Sequence, residues 1–161
     1  MTKTRGDVVL RVMPRLADIN ANGHIFGGWV LSQMDIAGGI IAHRIAQGAV
    51  ATVAIESMKF ITPILLGDVV SVYAHEERRG RTSVAIRIDV VAVRGPQEEQ
   101  VDLTSGLFTF VALDENHRPR PLPGTRGPAS KRAKGAASYP SSPRERRRRP
   151  ASPAASSTWP R

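Results

Sequence analysis

Hydrophobic residues follow a helical pattern in one continuous stretch of the chain. From Gly27 to Gln47 the apolar side chains cover nearly the whole circumference of a helix, and Gly48 supplies a stop signal after it. A membrane span is excluded because polar residues interrupt the apolar run, which is also shorter than the ~20 residues that a bilayer requires. The pattern therefore predicts one long helix, buried on most of its sides. Its apolar positions are Trp29, Val30, Leu31, Met34, Ile36, Ile40, Ile41 and Ile45.

Beyond the helix, the pattern becomes that of β-strands separated by short turns. Strand-like patterning occurs in residues 51–63, 68–77, 81–93 and 101–113. The connections between these segments are too short for parallel crossovers, so the sheet is predicted to be antiparallel. The third segment alternates cleanly, which predicts that one of its faces is exposed to water. Its apolar face holds Val84, Ile86, Ile88 and Val90, and its polar face holds Ser83, Arg87 and Asp89.

Two further features complete the predicted sheet. In the first of these segments the alternation changes phase, and a β-bulge near Glu56–Ser57 would keep the apolar side chains on one face. A short strand is predicted around Asp7–Met13, ahead of the helix. The chain is therefore expected to adopt an α+β fold in which a curved antiparallel β-sheet wraps around a long central helix.

Charge divides the chain into two parts. The formal net charge of +9 lies in residues 125–161, which hold ten Lys and Arg against one Glu, whereas residues 1–124 are neutral and are expected to form one folded domain. The C-terminal part is rich in Pro, Ser, Ala and Arg, so a disordered tail is predicted. Its segment RERRRRP could bind nucleic acid through counterion release, but a solvated charge run without a specific partner is the more common outcome.

The residue types and motifs that the sequence lacks exclude several kinds of functional site. The sequence contains no cysteine, so the fold can hold neither disulfides nor thiolate metal ligands, and its four histidines lack the spacing of a metal site. No Gly-rich nucleotide-binding motif occurs. The N-terminal residues lack the apolar core of a signal peptide, so a cytoplasmic protein is expected.

The start of the predicted helix is a candidate binding site. It opens at Gly27–Gly28 with no Ser, Thr, Asp or Asn immediately before it, so its first backbone N–H groups lack a side-chain cap. Glycine allows a carbonyl oxygen to approach closely, and a helix N-terminus favours the negative charge that develops on a thioester oxygen during acyl transfer. The alternative is a glycine pair that serves only tight packing of the helix against the sheet.

Asp35 is a second candidate because it lies within the apolar helix. It shares a helical face with Leu31, Gly38 and Gly39, so missing side chains would leave room for a cleft beside it. A buried carboxylate is costly unless it is paired, and one that faces a cleft can serve as a general base. The alternative is an Asp that accepts hydrogen bonds at a helix contact and has no catalytic role.

Spacing predicts how these groups assemble. Asp35 lies seven residues beyond Gly28, or about 10 Å along one helix axis. A base and its oxyanion donors must both come within about 3 Å of atoms of one reacting centre. The active site is therefore expected to combine Gly27–Gly28 of one subunit with Asp35 of another.

Four segments of the chain resemble the hotdog-fold acyl-CoA thioesterases, most closely the YciA type. These are MPRLADINANGHIFGGWVLSQMDIAGG, TVAIESMKFITPILLGDVV, GRTSVAIRIDV and FTFVALDENHRPRPLP, and they span roughly residues 8–123. The resemblance implies a hotdog fold that hydrolyses acyl-CoA to a carboxylic acid and CoA. It also implies that no metal or other cofactor is needed, and that homodimers with sheets joined edge to edge assemble into tetramers or hexamers.

The resemblance also implies roles for individual residues. Asp35, in the motif SQMD, corresponds to the catalytic carboxylate, which acts either as a general base on water or as a nucleophile on the thioester. Asn20 matches an asparagine that could orient the water or the thioester carbonyl, but it could equally satisfy the backbone of its own turn. His24 is interpreted as a loop residue near the substrate. Asp18 and His24 also loosely resemble the Asp/His pair of hotdog enoyl-CoA hydratases, although the spacing differs.

CoA binding is expected at residues that the family tends to place around ESM and GRTS. Cationic side chains near strand ends suit the phosphates of CoA, although each is more often a solvated surface charge. The candidates are Ser57, Lys59, Arg81 and Thr82, with Arg79 as a further cation. A catalytically inactive hotdog module that binds acyl-CoA, and an enoyl-CoA hydratase, remain as alternative functions, which release of free CoA from acyl-CoA would distinguish from hydrolysis.

Overall fold

A computed structural model describes residues 5–125 of the 161-residue chain. In this part of the chain one long helix packs against a five-stranded sheet whose pairings are all antiparallel. The predicted helix, the early strand and the antiparallel sheet are confirmed, whereas residues 126–161 of the predicted tail lie outside the described residues. The elements are β1 (Val8–Val12), α1 (Gly27–Ala46), β2 (Val50–Phe60), β3 (Val69–Arg79), β4 (Ser83–Arg94) and β5 (Glu99–Ala112).

The helix α1 ends through a left-handed residue and an arginine cap. Gln47, with φ of 50°, takes the left-handed conformation one position before the predicted stop at Gly48. Nη2 of Arg120 donates a hydrogen bond of 2.7 Å to the carbonyl of Ala46, which has no partner within the helix. The segment after β5 is thereby attached to the end of α1. Within residues 5–125, no helix combines the length and the apolar character that crossing a membrane demands.

One face of α1 packs closely on the sheet. A Cβ added at Gly38 would lie 2.8 Å from the ring of Phe110 and 2.9 Å from Ile88, so glycine is needed for this approach. The prediction that Gly38 leaves a cleft beside Asp35 is therefore wrong, since sheet side chains fill that space. Seven of the eight predicted apolar positions of the helix are buried or partly buried, and only Ile36, at 51% exposed, departs from the predicted burial.

The strand β2 lies at one edge of the sheet. The strand order is β1-β3-β4-β5-β2, so β2 pairs on one side only, with β5. Its pairing register shifts between Glu56 and Lys59, and Ser57 has a φ of 53°, which confirms the predicted bulge. A second shift, between Thr52 and Ala54, was not predicted.

The polar face of β4 is more buried than its alternation predicts. Asp89 is only 6% exposed, and Ala85 and Val91 on the same face are also buried. β4 is the central strand of the sheet, so cross-strand neighbours on both sides cover this face. One of them is Glu77 on β3, which accepts two hydrogen bonds, of 2.5 and 2.8 Å, from Arg87. The expectation of a water-exposed face on this strand is therefore wrong.

Candidate active site

The start of α1 presents free backbone donors. Phe26 precedes the helix in an extended conformation and provides no side-chain cap, as predicted. The first hydrogen bond of the helix runs from the N–H of Trp29 to the carbonyl of Phe26, at 3.0 Å. The N–H groups of Gly27 and Gly28 make no hydrogen bond within residues 5–125, and both glycines are exposed. These amides are available to an oxygen atom that carries negative charge.

Two phenylalanine rings flank the glycine pair. A Cβ added at Gly27 would lie 3.2 Å from the ring of Phe60, and one added at Gly28 would lie 3.3 Å from the ring of Phe26. Both rings are partly exposed, at 64% for Phe60 and 42% for Phe26. A side chain at either position would crowd one of these rings, so glycine keeps the start of the helix uncovered.

Asp35 is held by one hydrogen bond from the sheet. The hydroxyl of Thr52 on β2 donates a hydrogen bond of 2.6 Å to Oδ1 of Asp35, which is half-buried. This short distance is typical of a hydroxyl bonded to a carboxylate. The bond leaves the remaining acceptor positions of the carboxylate for other donors, such as a water molecule.

The glycine pair and Asp35 lie at different ends of β2. Gly27 contacts Phe60, the last residue of β2, whereas Asp35 is bonded to Thr52 near its start. α1 is continuous between them, so about 10 Å of helix separates Gly28 from Asp35. One chain therefore does not bring the free amides and the carboxylate to a common point.

Asn20 lies in the turn that precedes α1. Its Oδ1 accepts hydrogen bonds from the N–H groups of Asn22, at 2.9 Å, and His24, at 3.2 Å. The side-chain oxygen thus satisfies its own turn. The Nδ2 group makes no hydrogen bond within residues 5–125 and is still able to donate one to a substrate oxygen. His24 is half-buried in the same turn, three residues before Gly27.

The carboxylate of Asp18 belongs to a local turn. Oδ2 of Asp18 accepts a hydrogen bond of 2.8 Å from the N–H of Arg15, and Nε of Arg15 lies 3.6 Å away. The residue is 6% exposed. Asp18 therefore serves the turn before α1, and its geometry does not favour the proton transfers of a hydratase pair with His24.

The candidate CoA-binding residues form two separate groups on the sheet. Ser57 and Lys59 lie at the bulge of β2, where Lys59 pairs with Ser105 of β5. Arg81 and Thr82 lie in the turn before β4, whose first residue pairs with Val111, six residues beyond Ser105 and close to the end of β5. Within a single chain the structure does not bring the two groups together.

The turn between β3 and β4 is fixed by the backbone. The carbonyl oxygens of Arg81 and Thr82 accept hydrogen bonds of 2.8 and 2.9 Å from Leu122 and Ala112. The side chain of Arg81 makes no ion pair within residues 5–125 and is exposed. A rigid turn that carries a free guanidinium is suited to binding a phosphate.

Arg79 is less available than Arg81. Its guanidinium donates two hydrogen bonds, of 2.8 and 2.6 Å, to the carboxylate of Glu76. These bonds hold the pKa of the Glu76 carboxyl below its ordinary value. Because the charge of Arg79 is already paired, Arg81 and Lys59 are the better candidates for phosphate binding.

An apolar cavity of about 270 Å³ opens beside Gly27. Phe60 and Ile61 line its exposed part, and Val30 and Leu103 line its buried part. The cavity thus borders Gly27 and has both exposed and buried residues in its wall. A site that binds a carbonyl oxygen at Gly27 has apolar space next to it.

The arrangement of His, Asp and Glu side chains bears on whether the site could bind a metal ion. Within residues 5–125, no group of three or more His, Asp or Glu side chains is arranged to hold a metal ion. The expectation that no metal is needed stays a prediction.

Two residues of the site were missed by the sequence reasoning. Thr52 holds the carboxylate of Asp35, and Phe60 covers Gly27. Thr52 is the one hydroxyl residue in the apolar first half of β2, Val50–Ile55, and this was the available signal. This signal could not identify Asp35 as the partner of Thr52. The register of β2 against β5 and the position of α1 on the sheet depend on contacts between residues that are distant in sequence.

Comparisons with known proteins agree with this fold. The thioesterase superfamily model matches residues 22–98. The acyl-CoA thioester hydrolase YciA of Salmonella typhimurium is 48% identical over 122 residues, which cover 74% of this chain and 92% of that protein.

Solved structures give the same result. The hexameric broad-specificity acyl-coenzyme A thioesterase HI0827, solved as an aspartate-to-alanine mutant, is 46% identical with a TM-score of 0.72, over 74% of this chain and 88% of that chain. Cj0915, a hexameric hotdog-fold thioesterase of Campylobacter jejuni, is 32% identical with a TM-score of 0.71, over 74% of this chain and 92% of that chain. The expected hotdog fold is thereby confirmed.

Proposed function

The chain belongs to the family of YciA-type acyl-CoA thioester hydrolases within the thioesterase superfamily, and from this premise we propose that it hydrolyses acyl-CoA to a carboxylic acid and free CoA. The observation that carries the proposal is the pair of free amides at Gly27–Gly28, of which Gly27 borders an apolar cavity. A thioester presents both a carbonyl oxygen and an apolar chain to such a site.

The amides of Gly27 and Gly28 form the oxyanion site in this proposal. When water adds to the thioester carbon, the carbonyl oxygen acquires negative charge, and donors fixed at a helix start stabilise that charge more than they stabilise the neutral carbonyl. In this proposal Nδ2 of Asn20, which lies in the preceding turn and is still free to donate, orients the same oxygen or the attacking water.

Asp35 activates the attacking group. As a general base, its carboxylate takes a proton from water while the water oxygen bonds to the thioester carbon, and collapse of the tetrahedral intermediate releases CoA thiolate, which is then protonated. As a nucleophile, the carboxylate would form an anhydride that water then hydrolyses. Both routes need Asp35 ionised and oriented, and the hydrogen bond from Thr52 supports both.

The exposed edge of β2 supplies the means of bringing these groups together. A long unpaired edge with exposed apolar side chains tends to pair with another strand. Val53 is 57% exposed, Ile55 45% and Phe60 64%, and Ile36 of α1 is also exposed. We infer that two copies pair through antiparallel β2 strands related by a two-fold axis.

Such a pairing completes two active sites. With the axis near Ile55, the midpoint of β2, the start of one strand lies opposite the end of the other, so Thr52 and Asp35 of one subunit approach the partner's Phe60. Gly27 contacts Phe60 within each subunit. The carboxylate of one chain thereby meets the oxyanion donors of the other, as the spacing along the helix requires.

The same two-fold pairing brings the CoA candidates together. The turn with Arg81 and Thr82 lies at the end of the sheet where β2 starts, and Lys59 lies at the end where β2 finishes. Antiparallel pairing of β2 places Arg81 of one subunit on the same side as the partner's Lys59. Their charges would bind the phosphates of one CoA molecule.

The wider assembly is also a proposal. The solved relatives described above are hexamers, which supports three dimers joined into a hexamer for this chain. A cytoplasmic location remains a prediction from the sequence.

Release of free CoA tests the proposed hydrolysis. The chain has no cysteine, so a thiol-reactive dye reports only the CoA produced from a panel of acyl-CoAs. Turnover is expected, and it is expected to persist after exhaustive chelation. Acyl-CoA binding without CoA release would indicate an inactive binding module, and loss of enoyl absorbance without CoA release would indicate a hydratase.

A further inference from the structure

Arg5, close to the N-terminus, lies beside two carboxylates of the sheet, those of Asp89 and Asp102. We propose that Arg5 offsets the charge of these two carboxylates and thereby keeps Lys59 free to bind the phosphates of CoA. Arg5 is thus a positioning residue, which acts through Lys59 and does not itself touch the substrate. This inference rests on the proposed thioester hydrolysis and on Lys59 as part of its CoA site.

A row of cross-strand neighbours connects the start of β1 with the end of β2. Within this row, Val8 pairs with Tyr73, Tyr73 with Asp89, Asp89 with Ser105, and Ser105 with Lys59. Residues directly opposite each other place their side chains on the same face of a sheet. Ile88 and Val90, on either side of Asp89, belong to the core beneath α1, so the row lies on the opposite face.

Arg5 reaches across this face from the far edge of the sheet. Its guanidinium donates a hydrogen bond to the carboxylate of Asp102 on β5, although β1 and β5 are three strand spacings apart, or about 14 Å. The side chain of Arg5 is only 18% exposed. It lines a small cavity of about 50 Å³ together with Asp89, Asp102 and Ser105. The guanidinium therefore lies next to both carboxylates.

Lys59 is fixed within reach of the same carboxylates. The hydroxyl of Thr104 donates a hydrogen bond of 2.6 Å to the carbonyl of Lys59, and Lys59 pairs with Ser105. Asp89 is two strand spacings from Lys59, or about 10 Å, and only the small side chain of Ser105 stands between them. A lysine ammonium on its flexible four-carbon stem can cross that gap.

The side chain of Lys59 is nevertheless unpaired. It is exposed and makes no ion pair within residues 5–125. Arg5 accounts for this arrangement, because a carboxylate already bonded to a guanidinium attracts a second cation less strongly. Without Arg5, the ammonium of Lys59 would turn toward the carboxylates and away from the phosphates.

The size of the effect follows from the charge that Arg5 contributes. Its loss makes the surroundings of Lys59 more negative by one unit, and the phosphates of CoA carry several negative charges. At a separation of about 10 Å in 0.1 M salt, this change should weaken CoA binding about threefold. The effect should grow as the salt concentration falls.

The test compares an acyl-CoA with the matching acyl-pantetheine, which lacks the nucleotide and its phosphates. For the full chain in 0.1 M salt, we expect Arg5→Met to raise KM for the acyl-CoA about threefold with kcat nearly unchanged. KM for the acyl-pantetheine should stay at the wild-type value. Lys59→Met should raise KM for the acyl-CoA at least as much as Arg5→Met.

Rescue of the charge separates this role from a purely structural one. Arg5→Met combined with Asp102→Asn restores the net charge, so KM for the acyl-CoA should return close to the wild-type value. Asp102→Asn alone should lower KM by a similar factor, and this variant still serves if Arg5→Met fails to fold.

Arg11→Met is the matched control. Arg11 lies on the same face of the sheet, where its Nε donates a hydrogen bond of 3.0 Å to the hydroxyl of Ser71. Its strand, β1, is four strand spacings from β2, or about 19 Å, which exceeds the screening length of about 10 Å. The same loss of charge at Arg11 should therefore leave KM for the acyl-CoA nearly unchanged.

Several results would overturn the proposal while hydrolysis itself stands. These are an unchanged KM in a folded Arg5→Met or in Lys59→Met, an equal rise for the acyl-pantetheine or in Arg11→Met, and no rescue by Asp102→Asn. If Arg5→Met does not fold, an unmoved KM in Asp102→Asn has the same meaning.

Failure of the proposed function gives a different result. In that situation the wild-type chain hydrolyses no acyl-CoA. Calorimetric binding of CoA and of pantetheine to the same variants then decides the role of Arg5. A threefold loss of CoA affinity in Arg5→Met, reversed by Asp102→Asn, supports that role, and equal CoA affinity in Arg5→Met and wild type refutes it.

Discussion

The hydroxyl of Thr52 donates a hydrogen bond of 2.6 Å to Oδ1 of Asp35, and this contact joins the edge strand β2 to the middle of α1. It fixes the orientation of a carboxylate that the apolar helix would otherwise leave without a partner. It also places the carboxylate beside the start of β2, where a second subunit can supply the missing half of a site.

Substitution of Asp35 should abolish most of the hydrolysis. We expect Asp35→Ala to lower kcat/KM more than a hundredfold, about 2.7 kcal/mol of barrier, while far-UV circular dichroism and oligomeric state stay as in the wild type. Asp35→Asn keeps the shape of the side chain and should still bind acyl-CoA. Activity of Asp35→Ala within a few-fold of wild type would contradict the assigned role.

Thr52 should act as a positioning residue through Asp35. We expect Thr52→Val to lower kcat about tenfold, because a hydrogen bond to a charged group contributes about 1.5 kcal/mol or more, with KM nearly unchanged. Thr52→Ser retains the hydroxyl and should restore kcat. If Ser and Val are equally impaired, packing rather than the hydrogen bond is responsible.

Complementation between subunits tests whether the site is shared. Gly28→Pro removes a free amide from the first turn, where proline is tolerated because no helical hydrogen bond is lost. Mixed dimers of Gly28→Pro with Asp35→Ala should regain about half of the wild-type activity, since one of the two sites then has both groups intact.

The complementation has a clear control. Each variant is first assayed alone, and the formation of mixed dimers is verified with two different affinity tags. No recovery in verified mixed dimers would mean that each active site is built within one subunit.

Removal of the basic tail should separate charge from catalysis. Deletion of residues 126–161 keeps Thr125, whose hydroxyl donates to the carbonyl of Leu122 at 2.6 Å. We expect nearly unchanged turnover and oligomeric state, whereas any retention on heparin should be lost with the net charge of +9 and should fall steeply with salt in the full chain. A large loss of turnover would assign the tail a part in catalysis or assembly.

The ion pair of Asp68 and Arg94 should contribute more to stability than an exposed pair of similar geometry. Arg94→Leu leaves the carboxylate of Asp68 buried with one backbone donor, so the free energy of unfolding should fall by about 3 kcal/mol. Arg87→Leu, which breaks the more exposed pair with Glu77, should cost under about 1 kcal/mol. Denaturant unfolding at one protein concentration compares them, and equal losses would refute the distinction.

The sequence by itself determined the features that depend on neighbours along the chain. The helix from Gly27, its uncapped start, the strands and the bulge at Ser57 follow from hydrophobic periodicity and from the preferences of glycine and capping residues, which act over a few positions. The distance from Gly28 to Asp35 followed as well, because the rise of a helix is constant.

Only the tertiary structure decided which of these residues meet others distant in sequence. The contact of Thr52 with Asp35 and of Phe60 with Gly27, the burial of Asp89 and the filling of the space at Gly38 all depend on strand order and on how α1 crosses the sheet. Periodicity assigns a side chain to a face but does not specify what covers that face. The two strands that flank β4 cover its polar face. The exposed edge of β2 has no neighbour within the described chain, and we propose that a second subunit covers it.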